Sequence, residues 1–224
     1  MAEAVQAHVS VTLNERIDAL IREMCSKRCH ASNQYLCPPR HDVLGTLLEY
    51  LDKTSFILDP YGARGEWRTI LSDLGYTICS TDQRREVEHF IDHETFDGEP
   101  LDACLPDKAI DRFQCDKYST LLINYPFDFI GDDMKDQENM DTTLTEAVRK
   151  FPGNRMVYIG MKRMGTLRPF RGSETSPYWD IVFEKEYLRN NHNDPTIGPN
   201  DGLFLRVYKR TVPIEDQFEY IPEE

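Results

Sequence analysis

Apolar residues recur along this chain in two rhythms, and the change from one to the other marks out its elements. Leu13, Ile17, Leu20, Ile21 and Met24 fall three or four apart behind the capping box Thr12-Leu13-Asn14-Glu15, which predicts an amphipathic helix. A second stripe, Val43, Leu44, Leu47, Leu48 and Leu51, predicts another helix, which Pro38 and Pro39 can open because proline is tolerated in a first turn. Short apolar runs then alternate with helical spacings. Phe56-Ile57-Leu58 predicts a buried strand, Glu66 to Leu74 a helix closed by Gly75, and Tyr76 to Ser80 a second strand ending near Asp82. Val87 to Ile91 is a candidate third strand, and a helix is expected around Leu101 to Phe113. Thr120-Leu121-Leu122-Ile123 predicts the fourth strand, Leu144 to Phe151 a helix, and Met156-Val157-Tyr158-Ile159 the fifth strand. Ile181-Val182-Phe183 and Leu203 to Tyr208 form a closing pair, while the polar stretches 128–141 and 189–202 read as loops. Strand–helix alternation ended by a late strand pair implies a doubly wound, seven-stranded α/β sheet, parallel except near one edge. The organisation expected is an N-terminal helical extension over 1–34, one Rossmann-like domain over 35–212 and an acidic tail over 213–224.

Composition agrees with one globular unit. The chain has 224 residues, 40% hydrophobic and 29% charged, which is enough to bury a full core without disulfides or metals. Nowhere does an apolar run approach the roughly 18 residues that span a bilayer. The opening residues lack a basic segment followed by an apolar block, so the expected setting is intracellular, cytoplasmic or nuclear, with no membrane association. Six scattered cysteines read as free thiols in such a setting. Cys25-x3-Cys29-His30 is looser than the pairs that usually hold structural zinc, and no metal is expected. The net charge of −13 changes the picture more. A protein that grips nucleic acid by its phosphates needs positive surface, so such a substrate would require a local basic patch or a basic partner subunit.

Chemistry concentrates at the predicted strand ends. The first strand runs into Asp59-Pro60-Tyr61-Gly62-Ala63-Arg64-Gly65. Ligands of open α/β sheets bind beyond the carboxyl ends of the strands, and glycines there let the backbone turn sharply beside them. Asp82, 23 residues after Asp59, suits an acid that accepts hydrogen bonds from ribose hydroxyls. The turn lacks the G-x-G-x-x-G of nicotinamide binders, although an ordinary dinucleotide site or an unliganded domain would also account for a Gly-x-x-Gly turn. At the end of the fourth strand stands Asn124-Tyr125-Pro126-Phe127. Asn124 and the Pro126 backbone carbonyl can accept hydrogen bonds from an exocyclic amine, and Phe127 can stack on a planar ring. A purely structural Asn-x-Pro turn is the plainer alternative.

Tyr35-Leu36-Cys37-Pro38-Pro39-Arg40, then Asp59 to Gly65, then Asn124 to Phe127, occur in that order. Together they resemble the amino-methyltransferases of the class I fold, especially the N6-adenine group acting on DNA or RNA. The likeness runs from about Tyr35 to Phe127. It implies a Rossmann-like methyltransferase sheet and S-adenosyl-L-methionine as cofactor, held by Tyr35, Pro38, Asp59, Tyr61, Gly62, Gly65 and Asp82. It implies a catalytic segment Asn124, Tyr125, Pro126 and Phe127 that holds the target amine. Three positions depart from the family pattern: Cys37 for threonine, Ala63 for the middle glycine, and Tyr125 for the first proline of the DNA-type motif. Lys162, Arg163, Arg168 and Arg171, with Phe170, Tyr178 and Trp179 interleaved, form a candidate substrate-binding surface for single-stranded nucleic acid or a flipped base. The same charges could equally balance the acidic loop at Asp132 to Asp141. Two other functions compete: a catalytically silent methyltransferase-like subunit that binds an active partner, and an amine methyltransferase for small molecules or proteins.

Overall fold

Ile57 and Leu58 are neighbours in one strand, both fully buried, and successive strand residues point to opposite faces. Each face of the sheet must therefore carry its own helical cover. The computed structural model describes residues 15, 17–19, 21–22, 41–62, 65–82, 104–124, 144–161, 178–187 and 203–211. Within them run α1 (His41–Tyr50), β1 (Phe56–Asp59), α2 (Glu66–Asp73), β2 (Thr77–Ser80), α3 (Pro106–Arg112), β3 (Thr120–Asn124), α4 (144–150), β4 (Arg155–Met161), β5 (Trp179–Tyr187) and β6 (Leu203–Arg210). The described residues among 15–22 are helical as expected.

The six strands form one mixed sheet in the order β2-β1-β3-β4-β6-β5. The first four are parallel, and β6 runs antiparallel to both of its neighbours. From β1 the chain moves one way to β2 and then back across to β3. Right-handed crossovers in opposite directions place their helices on opposite faces. One core accordingly joins Ile57 and Leu122 of the sheet to Leu44 and Leu47 of α1 and to Trp67, Ile70 and Leu71 of α2. The other joins Leu58, Leu121 and Ile123 to Ala109 and Ile110 of α3 and to Leu144, Ala147 and Val148 of α4.

Every strand expected from the sequence within the described residues is present; Val87 to Ile91, the candidate third strand, lies outside them. The helix expected around Leu101 to Phe113 is shorter and starts at Pro106, whose ring suits the first helical turn. The largest difference is β5, read from three apolar residues and in fact nine long. Backbone pairing to β6 carries it through Glu184, Lys185 and Glu186, whose side chains are exposed at the end of the sheet. A register shift between Ile181 and Phe183 and these charges are ordinary protections of such a strand against further pairing. Trp179, grouped above with the basic surface, is instead a core residue, with the Arg210 guanidinium stacked 4.3 Å from its ring centre. Cys79, Cys104 and Cys115 are free thiols; among the described residues no group of side chains could hold a metal, and no helix is long and apolar enough to cross a membrane.

Two substitutions in α1 separate core packing from propensity. Leu47 is fully buried, and Leu47→Ala is expected to cost about 2–5 kcal/mol. Gly45 faces open space in mid-helix, so Gly45→Ala should add about 0.5–1 kcal/mol. Chemical denaturation of the two variants checks both signs.

Candidate active site

The crevice that a doubly wound sheet opens lies where its strand order reverses, beyond the carboxyl ends of the two strands that part there. In this chain those strands are β1 and β3, paired in parallel through Leu58 and Leu121. β1 ends on Asp59 and β3 on Asn124, which reaches two residues further out along the sheet. Topology alone thus brings together the two residues that the sequence singled out at separate motifs.

Asp59 is wholly buried, and Asn124 is 6% exposed. The Ser80 hydroxyl, on the adjacent β2, donates to Oδ2 of Asp59 at 3.1 Å. Oδ1 of Asp59 and Oδ1 of Asn124 are both buried without a hydrogen-bond partner. Such atoms are uncommon in native interiors, and these two lie at the strand ends where the topology opens the crevice. Burial, the largest influence, pushes the Asp59 carboxyl up to about 8; the charges of Asp82 and Glu66 push the same way, while the Ser80 hydroxyl and the Tyr61 backbone N–H oppose them. Burial thus favours the protonated form of the Asp59 carboxyl near neutrality.

The turn after β1 is built against the end of β2. The Thr81 N–H donates to the Asp59 carbonyl at 2.9 Å, the Gly62 N–H donates to the Thr81 carbonyl at 2.8 Å, and Tyr61 bridges to Asp82. A Cβ at Gly62 would stand 2.5 Å from that of Ser80, so strand packing by itself requires glycine there, whatever the ligand. Gly65 takes a left-handed conformation, φ 79°, at the N-cap of α2, the region that only glycine adopts freely. The Thr69 N–H and hydroxyl both donate to its carbonyl. Asp82 is buried beside the turn, as expected of an acid at the end of the second strand, and the Tyr61 ring packs in the core with Leu58 and Ile123.

The structure therefore gathers Asp59, Tyr61, Gly62, Gly65 and Asp82 around one turn and sets Asn124 across the crevice from it. Ser80 and Glu66 were missed by the sequence reading. Ser80 closes an ordinary strand, and only the parallel register, which pairs it with Asp59, exposes its role. Glu66 looked like the first residue of an amphipathic helix. Tyr35, Pro38, Tyr125, Pro126, Phe127, Lys162, Arg163, Arg168 and Arg171 lie outside the described residues.

No family model matches the chain, and no curated protein does. Solved structures match over most of its length at low identity. Thermoplasma acidophilum 1320 is 13% identical, with 75% of this chain and 86% of that one covered at a TM-score of 0.49. The 1,6-didemethyltoxoflavin-N1-methyltransferase of Burkholderia thailandensis, solved with 1,6-didemethyltoxoflavin and S-adenosylhomocysteine, is 10% identical, covering 92% and 90% at 0.45. TrmN from Thermus thermophilus is 11% identical, covering 75% and 47% at 0.47.

The protonated Asp59 carries a stability signature. Its pKa of about 8 in the folded chain stands above the ordinary carboxylate value near 4, so between those limits the folded state holds a proton that the unfolded state has lost. That contribution to stability is full below about pH 4, falls as pH rises, and is gone above about 8. Asp59→Asn should match the wild type near pH 4 and melt clearly higher at pH 8. Parallel melting curves across that range would show that Asp59 does not hold the proton.

Proposed function

We propose that the chain is an S-adenosyl-L-methionine-dependent methyltransferase that transfers a methyl group to an exocyclic amine, N6 of adenine in DNA or RNA being the substrate that its motifs favour. The observation that carries this reading is the pair of buried acceptor oxygens without hydrogen-bond partners, on Asp59 and Asn124, at the ends of the two strands where the strand order reverses. One suits a cationic ligand and the other an amine donor. This fits the demands of the cofactor and target on the motif residues that resemble the N6-adenine group.

The donor set supports the cofactor assignment on its chemistry. S-adenosyl-L-methionine is a cation with a ribose and an amino-acid end. Asp59 offers a carboxylate for positive charge, Asp82 an acceptor for ribose hydroxyls, and Gly62 and Gly65 backbone that carries no side chain. Tyr35 and Pro38 would cover it. When bound, the cofactor supplies an electrophilic methyl group on a sulfonium, which needs no activation. What remains for the protein is alignment, which can lower a barrier by several kcal/mol. Asn124 accepts from the target amine and orients its nitrogen, the Pro126 carbonyl accepts the second N–H, and Phe127 stacks on the base. Burial of Asn124 keeps water from competing for its oxygen.

The charge of −13 bears on how the substrate arrives. Lys162, Arg163, Arg168 and Arg171 are the proposed phosphate-binding patch, and a basic partner subunit is the other route for a nucleic-acid substrate. Replacing all four with alanine should flatten the dependence of log K on log salt by up to roughly three units, about 0.7 to 0.9 for each phosphate no longer neutralised. A wild-type protein that binds neither DNA nor RNA in a salt-dependent way assigns delivery to a partner or the substrate to another class.

Asn124→Ala tests the catalytic assignment directly. Methyl transfer from labelled cofactor to nucleic acid should collapse while cofactor affinity, measured by calorimetry, stays within about twofold, as for an interaction felt at the reacting centre. Loss of both together would make Asn124 structural. Absence of any heat with S-adenosyl-L-methionine in the wild type would leave a methyltransferase-like binding subunit.

A further inference from the structure

We propose that Ser80 is a positioning residue for Asp59: its hydroxyl, packed against Gly62, holds one carboxylate oxygen so that the other is left for a cationic group of the ligand. This rests on reading the crevice as the cofactor site and names a residue outside the motifs that suggested it.

Parallel register sets Ser80 directly beside Asp59. Both side chains are buried, and the Oγ of Ser80 lies 3.1 Å from Oδ2 of Asp59. The hydroxyl cannot swing far. A Cβ built at Gly62 would lie 2.5 Å from the Cβ of Ser80, 3.1 Å from its Oγ and 3.3 Å from Oδ2 of Asp59, so serine, carboxylate and glycine backbone occupy one closely packed space. Two backbone hydrogen bonds lock the frame, from Thr81 to the Asp59 carbonyl and from Gly62 to the Thr81 carbonyl. With Oδ2 held this way, Oδ1 is the oxygen without a partner.

The surroundings give that hydroxyl its importance. Among the described residues, Asp82, beyond β2, and Glu66, at the start of α2, are the charged groups that act on Asp59, and both oppose its ionisation, as does burial. On the other side of β1, β3 ends in the neutral Asn124. Among the described residues, the Ser80 hydroxyl and the Tyr61 N–H favour the anion. When a cationic group binds, Asp59 releases its proton to solvent and the carboxylate pairs with the incoming charge; Ser80 lowers the cost of that release by donating to the anion it leaves.

The test is calorimetric titration of S-adenosyl-L-methionine into wild type and Ser80→Ala between pH 6.5 and 9.5. Any titration of the ligand itself is common to both proteins and cancels in the ratio of their affinities. A hydrogen bond to a charged group predicts a ratio of roughly tenfold at pH 6.5 that shrinks below about threefold by pH 9.5, where Asp59 ionises without help. Ser80→Cys, a weaker donor of similar size, should fall between. A ratio that stays constant with pH makes Ser80 a packing residue and overturns the proposal. A second readout needs no ligand: in Ser80→Ala the decline of stability with pH should extend to higher pH than in wild type, and an unchanged decline also overturns it. Wild type that binds no S-adenosyl-L-methionine at any pH removes the cofactor reading instead, and the ligand-free curves then decide the link between Ser80 and Asp59.

Discussion

The structure depends on a reversal of direction. The chain leaves β1 toward β2, returns past it to β3, and right-handed crossover puts the helices of the two halves on opposite faces. The covering helices diverge where the halves part, and the polar groups of Asp59 and Asn124 stand at the strand ends there. At that seam Asp59 and Asn124 are buried, each with one side-chain oxygen left without a hydrogen-bond partner. Elsewhere in the sheet the same atoms would simply destabilise the fold.

How much of this was legible in the sequence follows from the physics of each element. β1, β3 and β4 are buried on both faces, so their apolar runs stood out, and every one was found. The edge strand β5 was cut short because its outer half is charged; pairing by backbone leaves no trace in side-chain pattern. The motif residues were found because aspartate, asparagine and glycine at strand ends are chemically conspicuous. Ser80 and Glu66 were not, since their importance comes from the register between β1 and β2 and from the way α2 docks, neither of which a linear pattern contains. Trp179 was misplaced for a related reason: an aromatic beside basic residues reads as a stacking surface until the strand that carries it is seen to pack inward.

The acidic balance of the chain has a local counterpart at the crevice. Three carboxylates, Asp59, Asp82 and Glu66, converge near the turn after β1, and the shared cost of their charges is met by leaving Asp59 protonated. A positive ligand reverses that cost, since each carboxylate that repels Asp59 also attracts the ligand. The arrangement thus links occupancy to charge balance inside the protein, independently of the net charge on its surface.

The close packing of Gly62 on Ser80 also constrains how the site can change over generations. Any larger residue at 62 collides with the side chain at 80. Loss of the hydroxyl at 80 would strand the carboxylate at 59, while the Cβ of residue 80 would still block a side chain at 62. A lineage that altered one of these three positions would have to pass through a form with a compromised crevice before the others could adjust. Asp59 and Gly62 share one turn and Ser80 stands on the next strand, yet the three inherit change as a single unit.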